Sequence, residues 1–346
     1  MRQALRLAAK GAGRTSPNPM VGAVVVQGDT VVGQGWHHAA GEPHAEALAL
    51  RAAGPRARGA TLVVTLEPCS HHGRTPPCTD AVREAGIARV VAAMRDPFPK
   101  IDGRGFRALR AAGITVEHGL LEAEALRLNE GFVTRLREGR PFVLLKLALT
   151  VDGRTAVPGR RYLSGKRAQR EVHRLRDRMD AVLVGVGTVL ADDPQLTVRE
   201  VRGRDPLRVI VDTEARTPPT ARVVRAADPQ RTMLLVARDA DTRRVNRLRQ
   251  AGVLVVSMPR AEGGLDLERA LRWLGEQGVN TVLSEAGPRV AAALVRGGLA
   301  DRAMFIVSPL VGGDGPRLDG IPEPRALRDA VTRRLGEDVA FEGYLH

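Results

Sequence analysis

His44-Ala45-Glu46 and Pro68-Cys69-Ser70-His71-His72-Gly73-Arg74-Thr75-Pro76-Pro77-Cys78 together offer an imidazole, two thiols and a carboxylate that is free to move protons. Zinc takes nitrogen and sulfur ligands in a tetrahedron, and a zinc that works on a substrate keeps one of its four positions for water. His44, Cys69 and Cys78 would fill the other three, with Glu46 left as a proton carrier. Two blander readings compete. A lone cysteine is ordinarily a small buried hydrophobe, and a Cys69–Cys78 disulfide would close only a short loop in a chain with no secretory signal. Economy argues against both, because the 346 residues hold only two cysteines and both fall in this proline-flanked, histidine-rich loop.

The His-x-Glu spacing matches one half of the signature of the zinc nucleobase deaminases, in which the glutamate is a general acid/base and not a ligand. The other half departs from it. Eight residues instead of two separate the cysteines, which points to a branch of that superfamily with a longer loop between ligands.

A length of 346 residues is enough for two domains with a core each. With 43% hydrophobic and 27% charged residues the chain reads as an ordinary globular protein. No run approaches the roughly 18 apolar residues of a membrane span, and Met1-Arg2-Gln3-Ala4-Leu5 opens an amphipathic helix rather than a signal peptide. Reduced thiols suit the cytoplasm. The formal charge of +14 raises the question of nucleic acid. Yet the excess is diffuse, lysine occurs only at positions 10, 100, 146 and 166, and 3% aromatics are too few for base-stacking platforms. No nucleic-acid partner is expected; part of the arginine excess suits phosphate-bearing small molecules.

Periodicity predicts an α/β chain. A hairpin, Gly22–Gln27 and Val31–Trp36, turns at Gly28-Asp29. His44 opens a helix through Arg51, Thr61–Leu66 is a strand running into the cysteine loop, and Thr79–Ala85 is a helix. Both ligand groups then lie at helix N-termini, whose dipoles favour thiolate. Strands at Arg89–Met94 and Ile114–His118 flank a helix at Phe106–Ala112. Glu138-Gly139-Arg140-Pro141 marks a boundary, which sets the domains at 1–139 and 140–346. Beyond it come strands at Phe142–Leu149, Ala181–Val186, Leu207–Val211, Met233–Ala237, Leu254–Met258, Thr281–Leu283 and Ala303–Ser308. Helices at Ala168–Met179, Val245–Ala251, Leu267–Glu276 and Arg289–Arg296 alternate with them. Two small-residue turns follow strands here: Gly185-Val186-Gly187-Thr188, continuing as a turn through Pro194, and Ser284-Glu285-Ala286-Gly287-Pro288. Such turns let a backbone approach phosphates, and a pair of them at strand C-terminal ends suits a cofactor crevice.

The runs SPNPMVGAVVV from Ser16, GEPHAE at 41–46 and TLEPCSHHGRTPPC at 65–78 resemble the bacterial bifunctional riboflavin-biosynthesis deaminase–reductase family. KLALTVDGRTA from Lys146 and DAVLVGVGTVLADDPQLTVR at 180–199 extend the resemblance over the whole chain. It implies an N-terminal cytidine-deaminase-like three-layer domain and a C-terminal dihydrofolate-reductase-like domain, one Zn2+ per chain, and NADPH. The implied reactions are deamination of 2,5-diamino-6-(5-phosphoribosylamino)pyrimidin-4-one, then reduction of its ribosyl group to give 5-amino-6-(5-phosphoribitylamino)uracil. By motif, Glu46 is catalytic, and Asn18, His71, His72 and Arg74 fall near substrate. Ala148, Tyr162, Thr188, Asp192, Thr213 and Gly287 fall on cofactor positions; Arg176, Leu196, Arg199 and Glu285 fall on substrate positions, with Lys146 and Asp192 as polar support for reduction. Gly159-Arg160-Arg161-Tyr162-Leu163-Ser164 departs from the family pattern: the aromatic is Tyr162, and Arg160 stands where a substrate-binding serine is usual. A homo-oligomer is implied too. Two other readings stay open, a transfer-RNA-type deaminase with an accessory α/β domain and a zinc-stabilised scaffold; the second leaves Glu46 without a use.

Overall fold

In a computed structural model, residues 1–71, 76–98, 102–226, 228–321 and 323–345 are described. The chain divides into two compact units, Met1–Glu138 and Gly139–His346.

The first unit is built on a five-stranded sheet of order β2-β1-β3-β4-β5, from β1 (Gly22–Gln27), β2 (Thr30–Trp36), β3 (Thr61–Val64), β4 (Arg89–Ala92) and β5 (Thr115–His118). β1 runs antiparallel to both β2 and β3, and β3, β4 and β5 are parallel. Because side chains alternate across a strand, Val24 packs with Ala4 and Leu7 of α1 (Arg2–Ala8), while Ala23 and Val25 join the main core with α2 (Ala45–Ala53). Glycine sets how close the helices come. A Cβ at Gly22 would stand 2.1 Å from the Ala4 carbonyl oxygen, and one at Gly33 would stand 2.2 Å from that of Ala49. The sheet is therefore covered on both faces, with α3 (Cys78–Glu84), α4 (Arg104–Ala111), α5 (Glu122–Leu128) and α6 (Glu130–Glu138) completing the unit.

The second unit holds a nine-stranded sheet, β10-β9-β8-β7-β13-β6-β14-β16-β15. Its strands are β6 (Phe142–Thr150), β7 (Ala181–Gly185), β8 (Leu207–Val211), β9 (Thr232–Ala237), β10 (Leu254–Met258), β13 (Thr281–Ser284), β14 (Arg302–Ser308), β15 (Arg328–Leu335) and β16 (Asp338–Tyr344). A two-residue ladder, β11 (Arg260–Ala261) with β12 (Gly264–Leu265), lies apart. The sheet is parallel from β10 to β14 and antiparallel beyond. α10 (Leu267–Glu276) and α11 (Pro288–Arg296) pack on one face; α7 (Lys166–Arg178), α8 (Val186–Asp192) and α9 (Thr242–Gln250) pack on the other. From β6 the chain steps past one place to β7 and works outward to β10, then returns to fill that place with β13. The carboxyl ends of β6, β7, β8 and β13 thus open at a reversal of strand order, where open α/β sheets take ligands.

Two local readings are corrected. The segment through Pro194, expected as a turn, is helix α8 up to Asp192: Val186 and Val189 bury into the core, and Asp193 ends it with a φ of +40°. The hairpin of β15 and β16 escaped the sequence pattern because β15, Arg-Asp-Ala-Val-Thr-Arg-Arg-Leu, is an edge strand with almost every residue exposed, so no apolar alternation marks it.

Candidate active sites

His44 precedes the first residue of α2 and Cys78 is the first residue of α3, so both ligand groups do stand at helix N-termini, and Cys69 follows β3 in the connecting loop. The His44 Nδ1 lies 3.1 Å from the Cys78 Sγ and 3.6 Å from the Cys69 Sγ. All three candidate ligand atoms fall within 4.8 Å of one another. Glu46, in the first turn of α2, is 4% exposed. His44, Cys69 and Glu46 line a cavity of about 500 Å³ together with Asn18, His71 and Asp96. A nitrogen and two sulfurs converging on one point is the donor set that zinc prefers, so the residues fit the metal.

Electrostatics separate the groups. The two thiols share a hydrogen bond that draws Cys69 down to about 4 and pushes Cys78 up; Cys69 also accepts the Cys78 backbone N–H at 3.3 Å. Burial raises the Glu46 carboxyl to about 7. A carboxyl near neutrality at a cavity wall can both take and return a proton.

The side chains that hold this site in shape were not legible beforehand. Asn129 accepts the Met20 N–H at 2.8 Å and donates to the Met20 carbonyl at 3.0 Å, which fixes the turn carrying Asn18. His37 is 3% exposed, and its Nδ1 lies 3.3 Å from the Pro43 carbonyl oxygen. A carbonyl only accepts, so Nδ1 is the donor and Nε2 receives the Asn18 amide at 3.0 Å. Glu67, beside the cysteine loop, accepts the N–H groups of Gly103 and Gly105 at 2.9 and 2.8 Å, and so caps α4 and ties it to the strand end. Only the position of Glu67 next to Pro68-Cys69 offered a signal. His71 is exposed at the cavity rim, and His72 and Arg74 lie outside the described residues.

At the second site the register decides which residues meet. β13 pairs with β6 as far as Ser284 with Leu145, so Glu285 falls next to Lys146. Its carboxylate takes the Arg176 Nε and Nη2 at 2.6 and 3.0 Å, with the Lys146 Nζ at 3.9 Å. Against the push of burial, Arg176 and Lys146 hold the Glu285 carboxyl below its ordinary value; burial in turn draws the Lys146 amine down. Arg176 reaches on to the Thr197 carbonyl at 3.0 Å, next to buried Leu196. The two small-residue turns converge: a Cβ at Gly287 would stand 3.6 Å from the Thr188 Oγ1, and one at Gly187 would meet open space. That cradle, at the carboxyl ends of β7 and β13, fits a dinucleotide phosphate.

Ala148 lies near the end of β6, and Thr213 two residues past the end of β8. Tyr162 is exposed, with the Arg161 guanidinium 5.6 Å from its ring centre and the Arg161 Nη2 3.5 Å from the Asp192 carbonyl. Arg161, not Arg160, thus links the Tyr162 loop to Asp192. Arg160 is exposed in a tight turn, its N–H donating to the Val157 carbonyl at 3.0 Å.

Comparison with known proteins bears on both units. The family described as RibD C-terminal domain matches residues 141–341, and the one described as cytidine and deoxycytidylate deaminase zinc-binding region matches residues 1–94. The riboflavin biosynthesis protein RibD of Escherichia coli is 43% identical, over 99% of this chain and 97% of that protein; its Aquifex aeolicus counterpart is 41% identical over 99% and 96%. Among solved structures, Acinetobacter baumannii RibD superposes with a TM-score of 0.89 at 36% identity, covering 100% of this chain and 97% of that one. The diaminohydroxyphosphoribosylaminopyrimidine deaminase/5-amino-6-(5-phosphoribosylamino)uracil reductase of Thermotoga maritima gives 0.87 at 36% identity, over 100% and 97%. The N-terminal deaminase fold, the dihydrofolate-reductase-like second fold and the pairing of zinc with NADPH are those of this family. This chain belongs to the RibD family, the bifunctional deaminase–reductases of riboflavin biosynthesis.

Proposed function

We propose that the first unit hydrolyses the 2-amino group of 2,5-diamino-6-(5-phosphoribosylamino)pyrimidin-4-one, and that the second reduces the ribosyl group of the product to give 5-amino-6-(5-phosphoribitylamino)uracil. The observation that carries the first step is the convergence of His44, Cys69 and Cys78 within 4.8 Å beside the buried Glu46 carboxyl. His44, Cys69 and Cys78 would hold zinc, which when bound would lower the pKa of water to roughly 7. Glu46 takes the proton of the attacking water and delivers it to the departing nitrogen: a C–O bond forms, the C–N bond breaks and ammonia leaves. Asn18, oriented by His37, and His71 at the rim position the pyrimidine and its sugar.

In the second unit the turns at Thr188 and Gly287, with Ala148, Tyr162, Asp192 and Thr213, would seat NADPH, which would supply a hydride. A hydride so supplied would go to the C1′ of the ribosyl group, whose bond to the ring oxygen would break as that oxygen takes a proton. Leu196, Arg199, Arg176 and Glu285 hold the substrate, and Lys146, with its amine beside Glu285, supports charge at the reacting end. Orientation is the main contribution here. The domains divide at residue 139, and the protein works as a cytoplasmic homo-oligomer on a phosphorylated pyrimidine. The family resemblance supports that reading.

The test is a coupled assay on zinc-loaded protein with the diaminopyrimidine ribosyl phosphate, following ammonia and NADPH together. Ammonia release that precedes NADPH loss is expected. NADPH consumption without prior ammonia would overturn the order of steps, and ammonia alone would overturn the reductase assignment.

A further inference from the structure

We infer that His173 is a positioning residue for the reductase step: together with Arg176, one turn along α7, it holds the stretch Thr197–Arg199 so that the Arg199 guanidinium is presented to the substrate phosphate. The inference rests on the reading of Arg199 as a substrate contact.

Thr197–Arg199 lies between α8 and β8, outside any strand, so its backbone needs partners from elsewhere. Each residue finds one. The Thr197 carbonyl accepts from the Arg176 Nη1 at 3.0 Å, the Val198 N–H donates to the Asp205 Oδ1 at 2.7 Å, and the Arg199 N–H donates to the His173 Nδ1 at 2.9 Å. Residues three apart share a helix face, so His173 and Arg176 grip a carbonyl and an amide two residues apart in the facing chain. Immediately before the grip, Leu196 is 2% exposed and has a φ of +56°. A side-chain-bearing residue keeps that left-handed backbone only where its surroundings hold it.

Imidazole suits this place better than the alternatives. His173 is 6% exposed; burial, then Arg176 and Arg199, hold it neutral, down to about 4, so Nδ1 stays an acceptor. A carboxylate in the same position would pair with the Arg199 guanidinium and compete with phosphate for it. As built, the described contacts of that guanidinium are through Nη1 to Thr197, and a guanidinium has five N–H donors.

The experiment uses the full-length protein and varies the deaminated ribosyl phosphate at saturating NADPH. His173→Leu keeps bulk and removes the acceptor, leaving the Arg199 N–H without it in a part-buried place; KM should rise about tenfold, the upper worth of one lost hydrogen bond, while kcat stays within about twofold. His173→Asn returns an oxygen to the Nδ1 place and should bring KM back to within about threefold of the parent. Deaminase turnover should not change in either, and the retained reductase kcat is the internal control for folding of the second unit. Should His173→Leu not fold, His173→Gln gives the same contrast, because its oxygen falls at the Nε2 place. Equal KM values for the asparagine variant and the leucine or glutamine variant would overturn the inference by assigning His173 to packing alone. Arg199→Ala run in parallel separates the two layers of argument. If it leaves KM unchanged, the substrate reading of Arg199 falls and this inference with it. If it raises KM while His173→Leu does not, this inference alone falls.

Discussion

At the scale of single residues, the N-terminal site turns on Glu46. Gln is nearly the same shape as Glu and cannot carry the proton, so Glu46→Gln should keep zinc while deamination slows by about 10²–10⁴-fold, the usual worth of a positioned acid–base group. Metal content by elemental analysis, beside ammonia release, checks it. Full metal with undiminished deamination would remove Glu46 from the mechanism. His44, Cys69 and Cys78 were readable from residue type and spacing, because few other residues can serve a zinc. Arg160 and Arg161 were not separable in that way. Which of two adjacent arginines meets Asp192 depends on the path of the loop, and the contact belongs to Arg161.

Among the elements, α2 matters most to the first site, since it carries His44 at its N-terminus and Glu46 in its first turn. Its distance from β2 is set by glycine: at Gly33 the nearest atom to an added Cβ is a backbone oxygen at 2.2 Å, and at Gly35 an added Cβ would stand 2.7 Å from the Ala45 carbonyl oxygen. Gly33→Ala should therefore push the helix off the strand, at a cost of about 1–3 kcal/mol in stability, and move His44 with it. Weaker zinc binding in a metal-competition titration is expected, with NADPH-dependent reduction retained. Unchanged zinc affinity would mean that the strain relaxes before it reaches the start of the helix. The apolar run GAVVVQ before Gly28-Asp29 gave β1 away, whereas α8 was hidden because Gly185-Val186-Gly187 reads as a turn until Val186 and Val189 are seen to bury.

Across the whole molecule, each buried cluster among the described residues draws on one unit alone. A chelator that strips zinc should accordingly abolish ammonia release and leave NADPH oxidation intact when the deaminated ribosyl phosphate is supplied. Loss of both activities would show that the second unit depends on the metal. The net charge of +14 has a local use in part: Arg176, Arg140 and Arg208 are buried in ion pairs and hydrogen bonds, where guanidinium geometry is suited to carboxylates and carbonyls. The class of fold, most strand and helix positions, and the choice of His44, Cys69 and Cys78 as a candidate trio were legible in the residues alone, because periodicity and residue chemistry are local properties. The folded chain alone shows that Glu285 meets Lys146 and Arg176, that His37 and Asn129 brace the turn of Asn18, and that His173 reaches Arg199. Those contacts join residues 19 to 139 positions apart, and strand order and register, which no local pattern encodes, bring them together.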